Sequence, residues 1–219
     1  MSDETVRQQA HTRGERLRLA SRERREQQKQ ELRETILTAA AELFLEQGYD
    51  RFSLRQVAER IGYSPTTIYL YFQNKDDLLF QVVYEGFRRF SEQLVGVLES
   101  VEDPMERLRE VGRSYIQFGL DNPAYYSLMF VQRTDFLQHQ PSVEEGKPID
   151  LMERLHVAIQ EAIDAGALRP GDAVAYGDAM WAAVHGVVSL TCMTMFDQER
   201  RRRAIDAVLT MTFDGLRKR

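Results

Sequence analysis

The amino-acid sequence predicts an all-α protein with about nine helices. Apolar residues recur at helical spacing from residue 31 to the end of the 219-residue chain, and no useful length of sequence alternates with the period of two typical of strands. Glycines that end helices, and Ser, Asn and Pro residues that start them, separate these amphipathic stretches. With 43% hydrophobic and 29% charged residues, the chain can bury a sizeable core but is too polar for a membrane protein.

The predicted helices follow one another with short connections. An amphipathic helix covers residues 31–47, two short helices follow at 54–61 and 65–72, and a long helix covers 75–100. The residues that start or stop these four helices are Gly48, Ser53, Gly62, Ser64, Pro65 and Asn74. Further along the chain, the sequence predicts helices at about 104–120, 123–130, 149–165, 172–196 and 199–216, with a mobile polar loop at 132–148.

Several function classes lack the residues that they need. The single cysteine, Cys192, cannot form an internal disulfide, and the four histidines are too scattered to build a zinc site with it. The sequence contains no G-x-S-x-G, P-loop or G-x-G-x-x-G motif. It has one Glu-x-x-His pair, Glu153 and His156, where a di-iron bundle needs two. We therefore expect no catalytic site, no metal and no cofactor.

The chain is not expected to enter a membrane. No run approaches the roughly 18 uncharged apolar residues that span a bilayer, and the first 30 residues contain no apolar leader segment. A cytoplasmic location follows as an expectation.

Charge is unevenly distributed along the chain. Residues 1–30 carry a net charge of +3 and the remainder −8, which gives −5 overall. We expect residues 1–30 to form a flexible basic arm that attracts DNA locally, because salt limits electrostatic attraction to about 10 Å. A solvated leader without a binding role is the alternative. A second basic run, residues 200–203, lies far along the chain and is expected to be solvated or paired with acidic residues.

The two short helices and the glycine-containing turn between them predict a helix-turn-helix motif. In this motif the first helix crosses the DNA backbone and the second enters the major groove. The second helix carries Thr66, Thr67, Tyr69 and Tyr71, whose hydroxyl groups suit phosphates and base edges. The alternative, a purely structural aromatic helix, is disfavoured because so small a unit cannot bury all of its aromatic residues.

A longer pattern identifies a family. Residues 36–79 read ILTAAAELFLEQGYDRFSLRQVAERIGYSPTTIYLYFQNKDDLL, which resembles the DNA-binding domain of TetR-family transcriptional regulators. Residues 122–130 read NPAYYSLMF and residues 181–186 read WAAVHG, and both resemble the WHG-type ligand-binding and dimerisation domains of that family. The resemblance implies a three-helix DNA-binding domain at 31–77 after the arm at 1–30. It also implies a helical ligand-binding and dimerisation domain at 78–219.

The resemblance also implies a function. We expect a ligand-responsive transcriptional regulator, in particular a repressor, that binds a palindromic double-stranded DNA operator as a homodimer. A small apolar or aromatic molecule would release it. The alternative is a ligand-independent or architectural DNA-binding protein, which would share the same DNA-binding domain and lack a real ligand cavity.

The resemblance assigns a set of DNA-binding residues, with Lys75 expected to bind a phosphate at a helix N-terminus. The set is Ser53, Arg55, Ser64, Pro65, Thr66, Thr67, Tyr69, Tyr71 and Lys75. Pro65 and Leu70 stand where the family often has small, polar or basic residues. Base preference is therefore expected to depend on thymine methyl groups and DNA shape.

The C-terminal half carries two further sets, for both of which plain core is the alternative. Aromatic and sulfur-containing residues predicted to face a ligand pocket are Tyr115, Phe118, Tyr125, Tyr126, Met129, Phe130, Trp181, His185 and Met193. The last two helices are predicted to form a four-helix bundle between two copies. Their interface residues are Met180, Val184, Val187, Val188, Thr191, Met195, Ile205, Val208, Leu209, Thr212, Phe213 and Leu216.

Overall fold

The fold is all-α, as predicted. A computed structural model describes residues 13–131, 151–192 and 195–217. Within these ranges the chain forms nine α-helices and no β-strand, which confirms the fold class. The helices are α1 Arg13–Arg51, α2 Leu54–Ile61, α3 Pro65–Tyr69, α4 Lys75–Ser100, α5 Pro104–Asp121, α6 Pro123–Tyr126, α7 Leu151–Asp164, α8 Ala173–Cys192 and α9 Gln198–Leu216. A π-helical turn, Ser127–Val131, follows α6.

Helix α1 is longer than predicted. It begins at Arg13 instead of near residue 31, and all of residues 17–30 are exposed. This segment is rich in Arg, Glu, Gln and Leu, which favour helix. It has no apolar periodicity, because no core packs against it, so the pattern that predicted the other helices misses it. The expected flexible arm is therefore helical from Arg13 onward, and residues 1–12 lie outside the described residues.

Both short helices begin at the predicted caps, and α2 also ends at its predicted glycine. The Ser53 hydroxyl accepts a hydrogen bond from the Gln56 amide, and Gly62 ends α2 with a φ of 72°, which favours glycine. Ser64 caps α3, but α3 ends at Tyr69 and not at Phe72. The amides of Leu70 and Tyr71 bond three residues back, to Thr67 and Ile68, so the chain tightens into a turn there.

Helix α4 joins the N-terminal helices to the rest of the chain. Asn74 caps it, with Asp76 and Asp77 in its first turn, where acidic groups suit the helix dipole. Its buried side chains contribute to one core that extends from α1 through α5 to α8. A second, smaller core lies among α5, α7, α8 and α9. None of the described helices has the length and apolar character needed to cross a bilayer.

Much of the predicted dimer interface lies inside the single chain. The buried members are Met180, Val184, Val187, Val188, Phe213 and Leu216. Helix α8 is apolar around most of its circumference, so periodicity reveals an apolar face but not whether a second copy covers it. Here the chain's own helices cover it. Of the other predicted members, Met195 is exposed and the rest are half-buried: Thr191, Ile205, Val208, Leu209 and Thr212.

Candidate DNA-binding surface and ligand cavity

Two buried side chains hold α3 on the N-terminal core. Ile68 is fully buried and Phe72 nearly so, and both belong to the core that also contains side chains of α1, α2 and α4. The guanidinium of Arg33 on α1 lies 6.0 Å from the centroid of the Phe72 ring. Arg33 also donates a 2.6 Å hydrogen bond to Gln81 on α4. These contacts fix α3 against α1 and α4 and leave its opposite face in solvent.

Four of the nine predicted DNA-binding residues are exposed on that outward face. The exposed members are Ser64, Pro65, Thr66 and Tyr69, and Tyr69 is 58% exposed. Thr67 and Tyr71 are half-buried, and the Thr67 hydroxyl lies 2.9 Å from that of Ser64. Leu70 is 79% exposed, so a large apolar side chain also projects from this face.

The start of α2 presents an exposed cation beside a capping hydroxyl. The Ser53 hydroxyl donates to Gln56 Oε1 at 2.9 Å while accepting from the Gln56 amide. Its hydrogen-bonding capacity is therefore largely used within α2. Arg55, two residues further on, is exposed. Of these two predicted contacts, Arg55 is the one oriented towards an external partner.

Lys75 is held against α1 by Tyr49. Its Nζ lies 3.8 Å from the centroid of the Tyr49 ring and donates to the Tyr49 carbonyl at 3.4 Å. The Tyr49 hydroxyl donates in turn to Asp76 at 2.5 Å. That hydrogen bond, with burial, raises the pKa of Tyr49 to about 12. Sequence reasoning placed Lys75 at the start of α4 but did not find Tyr49, which stacks on it.

A cavity of about 390 Å³ lies between α4, α5, α7 and α8 in the C-terminal half. Its wall is almost entirely apolar, and none of the described residues that line it is charged. The lining residues are Phe87, Phe90, Ser91, Leu94, Leu98, Leu108, Val111, Gly112, Tyr115, Phe130, Leu151, Met152, Leu155, Met180, Trp181, Val184 and Phe213. Edge-to-face contacts fix part of this wall, with Phe90 5.2 Å from Tyr115 and 5.7 Å from Phe130 between ring centroids.

The structure brings only some of the predicted pocket residues to this cavity. Tyr115, Phe130 and Trp181 line it. The members that are buried in the core away from it are Phe118, Tyr125, Tyr126 and Met129. Met193 lies outside the described residues. The cavity-lining side chains of α4, from Phe87 to Leu98, follow helical spacing but are absent from the predicted pocket set.

His185 does not line the cavity but supports its polar end. Its Nδ1 lies 2.9 Å from the Tyr115 hydroxyl and 2.7 Å from that of Tyr126. Trp181 Nε1 donates to the Tyr115 hydroxyl at 3.3 Å. Burial lowers the pKa of His185, so the ring is neutral at pH 7, and burial raises the pKa values of both tyrosines. The cavity therefore ends in a neutral hydrogen-bonded network.

A buried carboxylate links α4 to the helices around it. Glu85 is 3% exposed and bonds Arg88 at 2.7 Å and Arg89 at 2.6 Å. Burial alone would raise the pKa of Glu85, but these hydrogen bonds outweigh it and hold the pKa below its ordinary value. The Arg89 guanidinium lies 5.3 Å from the Tyr125 ring centroid, and the Tyr125 hydroxyl is 3.4 Å from Thr38 on α1. The cluster connects α4, α6 and α1.

Family models match most of the chain. Residues 36–82 match the model of bacterial regulatory proteins of the tetR family, and residues 108–215 match the tetracyclin repressor-like C-terminal domain. The chain is 35% identical over 79 residues to the HTH-type transcriptional regulator HbdR of Aromatoleum sp. strain CIB, covering 36% of this chain and 34% of HbdR. Matches to the first curated relatives span about a third to a half of those proteins.

Solved structures of other proteins superpose on most of this chain. The fatty acid degradation regulator FadR of Bacillus halodurans superposes with a TM-score of 0.67 at 20% identity, covering 85% of this chain and 97% of FadR. AibR, solved in complex with isovaleryl coenzyme A and operator DNA, superposes with a TM-score of 0.62 at 21% identity, covering 83% of this chain and 97% of AibR.

Proposed function

Because the chain belongs to the TetR family of bacterial regulatory proteins, we propose that it is a cytoplasmic transcriptional repressor that binds a palindromic operator as a homodimer. A small apolar molecule that enters the cavity releases it from DNA. The observation that carries this proposal is the combination of an outward-facing, hydroxyl-rich α3 with an uncharged cavity in the same short chain. AibR, with the same fold, was solved with both an acyl coenzyme A and operator DNA.

Recognition of DNA is assigned to the outward face of α3. Thr66 and Tyr69 reach base edges and phosphates, and the exposed Leu70 offers apolar contact to thymine methyl groups. The test is selection of bound duplexes from a random pool, followed by affinity measurement over a range of salt concentrations. Thr66→Ala should weaken binding by about 1–3 kcal/mol or change base preference. Ser100→Ala, at the exposed end of α4, is the control. A variant of α3 that keeps wild-type affinity and preference would contradict this assignment.

A palindromic operator requires two symmetric copies, and the outward faces of α8 and α9 offer the surface. Leu190 on α8 is 41% exposed and Met211 on α9 is 76% exposed. Half-buried Val208, from the predicted interface, extends this surface. Met211→Glu should convert a dimer to monomers in sedimentation experiments. Val157→Glu, at an exposed apolar position on α7, should leave the dimer intact; equal behaviour of the two variants would contradict this interface.

The effector is assigned as a neutral, mainly apolar molecule. A buried charge without a partner is strongly unfavourable, and no described lining residue supplies one. The Tyr115 hydroxyl, which accepts from Trp181 and bonds His185, gives this wall a neutral polar group and no charge. Decanol, decanoate and decylamine share one chain and differ in head-group charge. At pH 7.5 decanol should raise Tm, while the two ions should bind at least tenfold more weakly.

A blocked cavity provides the control for this experiment. Ser91→Phe places a ring in the cavity from α4, whereas Ser100→Phe makes the same change at the exposed end of α4. Only Ser91→Phe should abolish the thermal shift and the release of operator DNA. Equal binding of all three probes would contradict a neutral effector. Operator binding with no response to any probe would favour the alternative, a ligand-independent DNA-binding protein.

A further inference from the structure

The exposed part of α1, residues 17–30, carries a basic stripe along one face. Positions 18, 22, 25 and 29 recur at helical spacing and are Arg, Arg, Arg and Lys. Of the two carboxylates of the segment, Glu23 lies away from the stripe, whereas Glu26 borders it beside Arg22 and Arg25. Within the described part of the chain, no ion pair involves Arg22, Arg25 or Lys29. We call residues 17–30 the stalk.

The stripe lies on the side of α1 that faces α3. The stalk residues Arg25 and Lys29 line a groove of about 560 Å³ whose opposite wall contains Tyr63 and Tyr71, from either end of the α3 segment. One carboxylate, that of Glu31, also borders the groove, and it accepts a 3.0 Å hydrogen bond from Gln27. The groove therefore combines two cations with two phenols beside the outward face of α3.

This combination suits the DNA backbone. Arginine, lysine and tyrosine are donors that proteins use to contact phosphate oxygens. Along the helix axis, Arg18 and Lys29 are separated by about 16 Å. A duplex advances about 3.4 Å per base pair, so the stripe is as long as roughly five base pairs. An exposed helix that packs against no other element is stabilised when a partner binds it. The positive charge of the stripe favours a polyanion as that partner.

We propose that the stalk is a second DNA-binding element that grips the phosphate backbone flanking the operator, with Arg25 and Lys29 seating one strand in the groove and Arg18 and Arg22 extending the contact outward. This inference depends on the proposed DNA-binding function. The stalk adds affinity and salt dependence to DNA binding but no base preference, because phosphates carry no sequence information. The affinity for DNA then depends on the length of duplex that flanks the bases contacted by α3.

Neighbouring arginines allow a matched test. Arg25 is part of the stripe, whereas Arg24 is turned about 100° away from it on the same exposed helix. Arg25→Gln and Arg24→Gln therefore make the same change in charge and helix propensity. Fluorescence anisotropy would measure binding of the full chain to the selected operator, trimmed to its core or extended by eight base pairs on each side. A duplex of unrelated sequence would be measured in parallel.

Arg25→Gln should weaken binding to the extended operator by about two- to thirtyfold per dimer, within the range of exposed ion pairs. The slope of log K against log salt should become less steep by about 0.9 for each phosphate that the variant no longer neutralises. Arg24→Gln should leave both unchanged, and neither variant should alter the selected bases. Trimming the flanks should weaken the wild type and remove the difference between the variants.

Equal effects of the two substitutions, or no effect of either, would overturn the stripe as a DNA-binding surface. A full effect of Arg25→Gln on the trimmed operator would overturn the flanking contact. The unrelated duplex separates this inference from the proposed function. If selection yields no operator but Arg25→Gln alone weakens binding to unrelated DNA, the stalk binds DNA and the proposed repressor function fails. If the wild type binds no duplex at all, both fail.

Discussion

Gly119 marks a close approach between α5 and α8, and replacing it with alanine tests how tightly that contact is packed. A Cβ atom at Gly119 would lie 2.4 Å from Val188 Cγ1 and 3.1 Å from Tyr126 Cδ2. Both neighbours are fully buried, so neither can turn into solvent. Gly96 on α4 has nothing within 4 Å of an added Cβ and serves as the control.

The two substitutions should therefore change the free energy of unfolding in opposite directions. In a helix interior, Gly→Ala is worth about 1 kcal/mol through backbone entropy. Gly96→Ala should show that gain in the free energy of unfolding. At Gly119 overpacking opposes it by about 1–3 kcal/mol, because the core must shift to admit the methyl group. The difference between the two variants should be about 1–3 kcal/mol in favour of Gly96→Ala.

Urea denaturation followed by circular dichroism measures these values, and a double-mutant cycle identifies the contact. Val188→Ala alone should be destabilising, since it removes buried methyl groups. Combined with Gly119→Ala it should cost less than the sum, with a coupling of at least about 0.5 kcal/mol. A Gly119→Ala variant as stable as Gly96→Ala, or strictly additive with Val188→Ala, would refute the close approach of the two helices.

Three further predictions concern stability. Ser53→Ala and Asn74→Ala should each lower the free energy of unfolding by about 1 kcal/mol in urea denaturation, since each side chain caps a helix; Ser100→Ala should not. His185→Asn should flatten the loss of stability below about pH 6.5, because burial lowers the folded-state pKa and the unfolded chain binds the proton more readily. Glu85→Gln should destabilise the protein at pH 7. Thermal melts at several pH values should show this difference shrinking as acid protonates the wild-type carboxylate, whose pKa is lowered in the folded state.

The sequence predicted the features that depend on local chemistry. Caps such as Ser53, Ser64 and Asn74 act within a few residues, so their positions can be read from the chain. The fold class followed from helical periodicity, and the DNA-binding motif from its spacing. The start of α1 was missed because the stalk has helix propensity without an apolar face. In the stalk, helix propensity favours a helix while apolar periodicity is absent.

The element that covers an apolar helix face could not be predicted from local sequence. Val184 and Val188 lie on one face of α8, and the sequence does not specify whether α5 or a second chain covers it. The cavity poses the same difficulty, since Tyr126 and Tyr115 have the same chemistry and are bonded to the same histidine. Only Tyr115 lines the cavity. Which side of a small aromatic cluster stays open depends on the crossing of several helices.

The helices are tightly packed at Gly119 and leave open space at the cavity, and this difference indicates how a ligand would act. The α5–α8 contact at Gly119 leaves no space, whereas the wall formed by Phe87, Phe90 and Leu94 of α4 borders the cavity. We therefore expect a ligand larger than the cavity to displace α4 rather than separate α5 from α8. Helix α4 begins at Lys75, beside α3, so a tilt that widens the cavity also moves the DNA-binding surface. A ligand changes DNA affinity only through its preference for one of these two arrangements, and we expect the larger neutral ligands to be the stronger inducers.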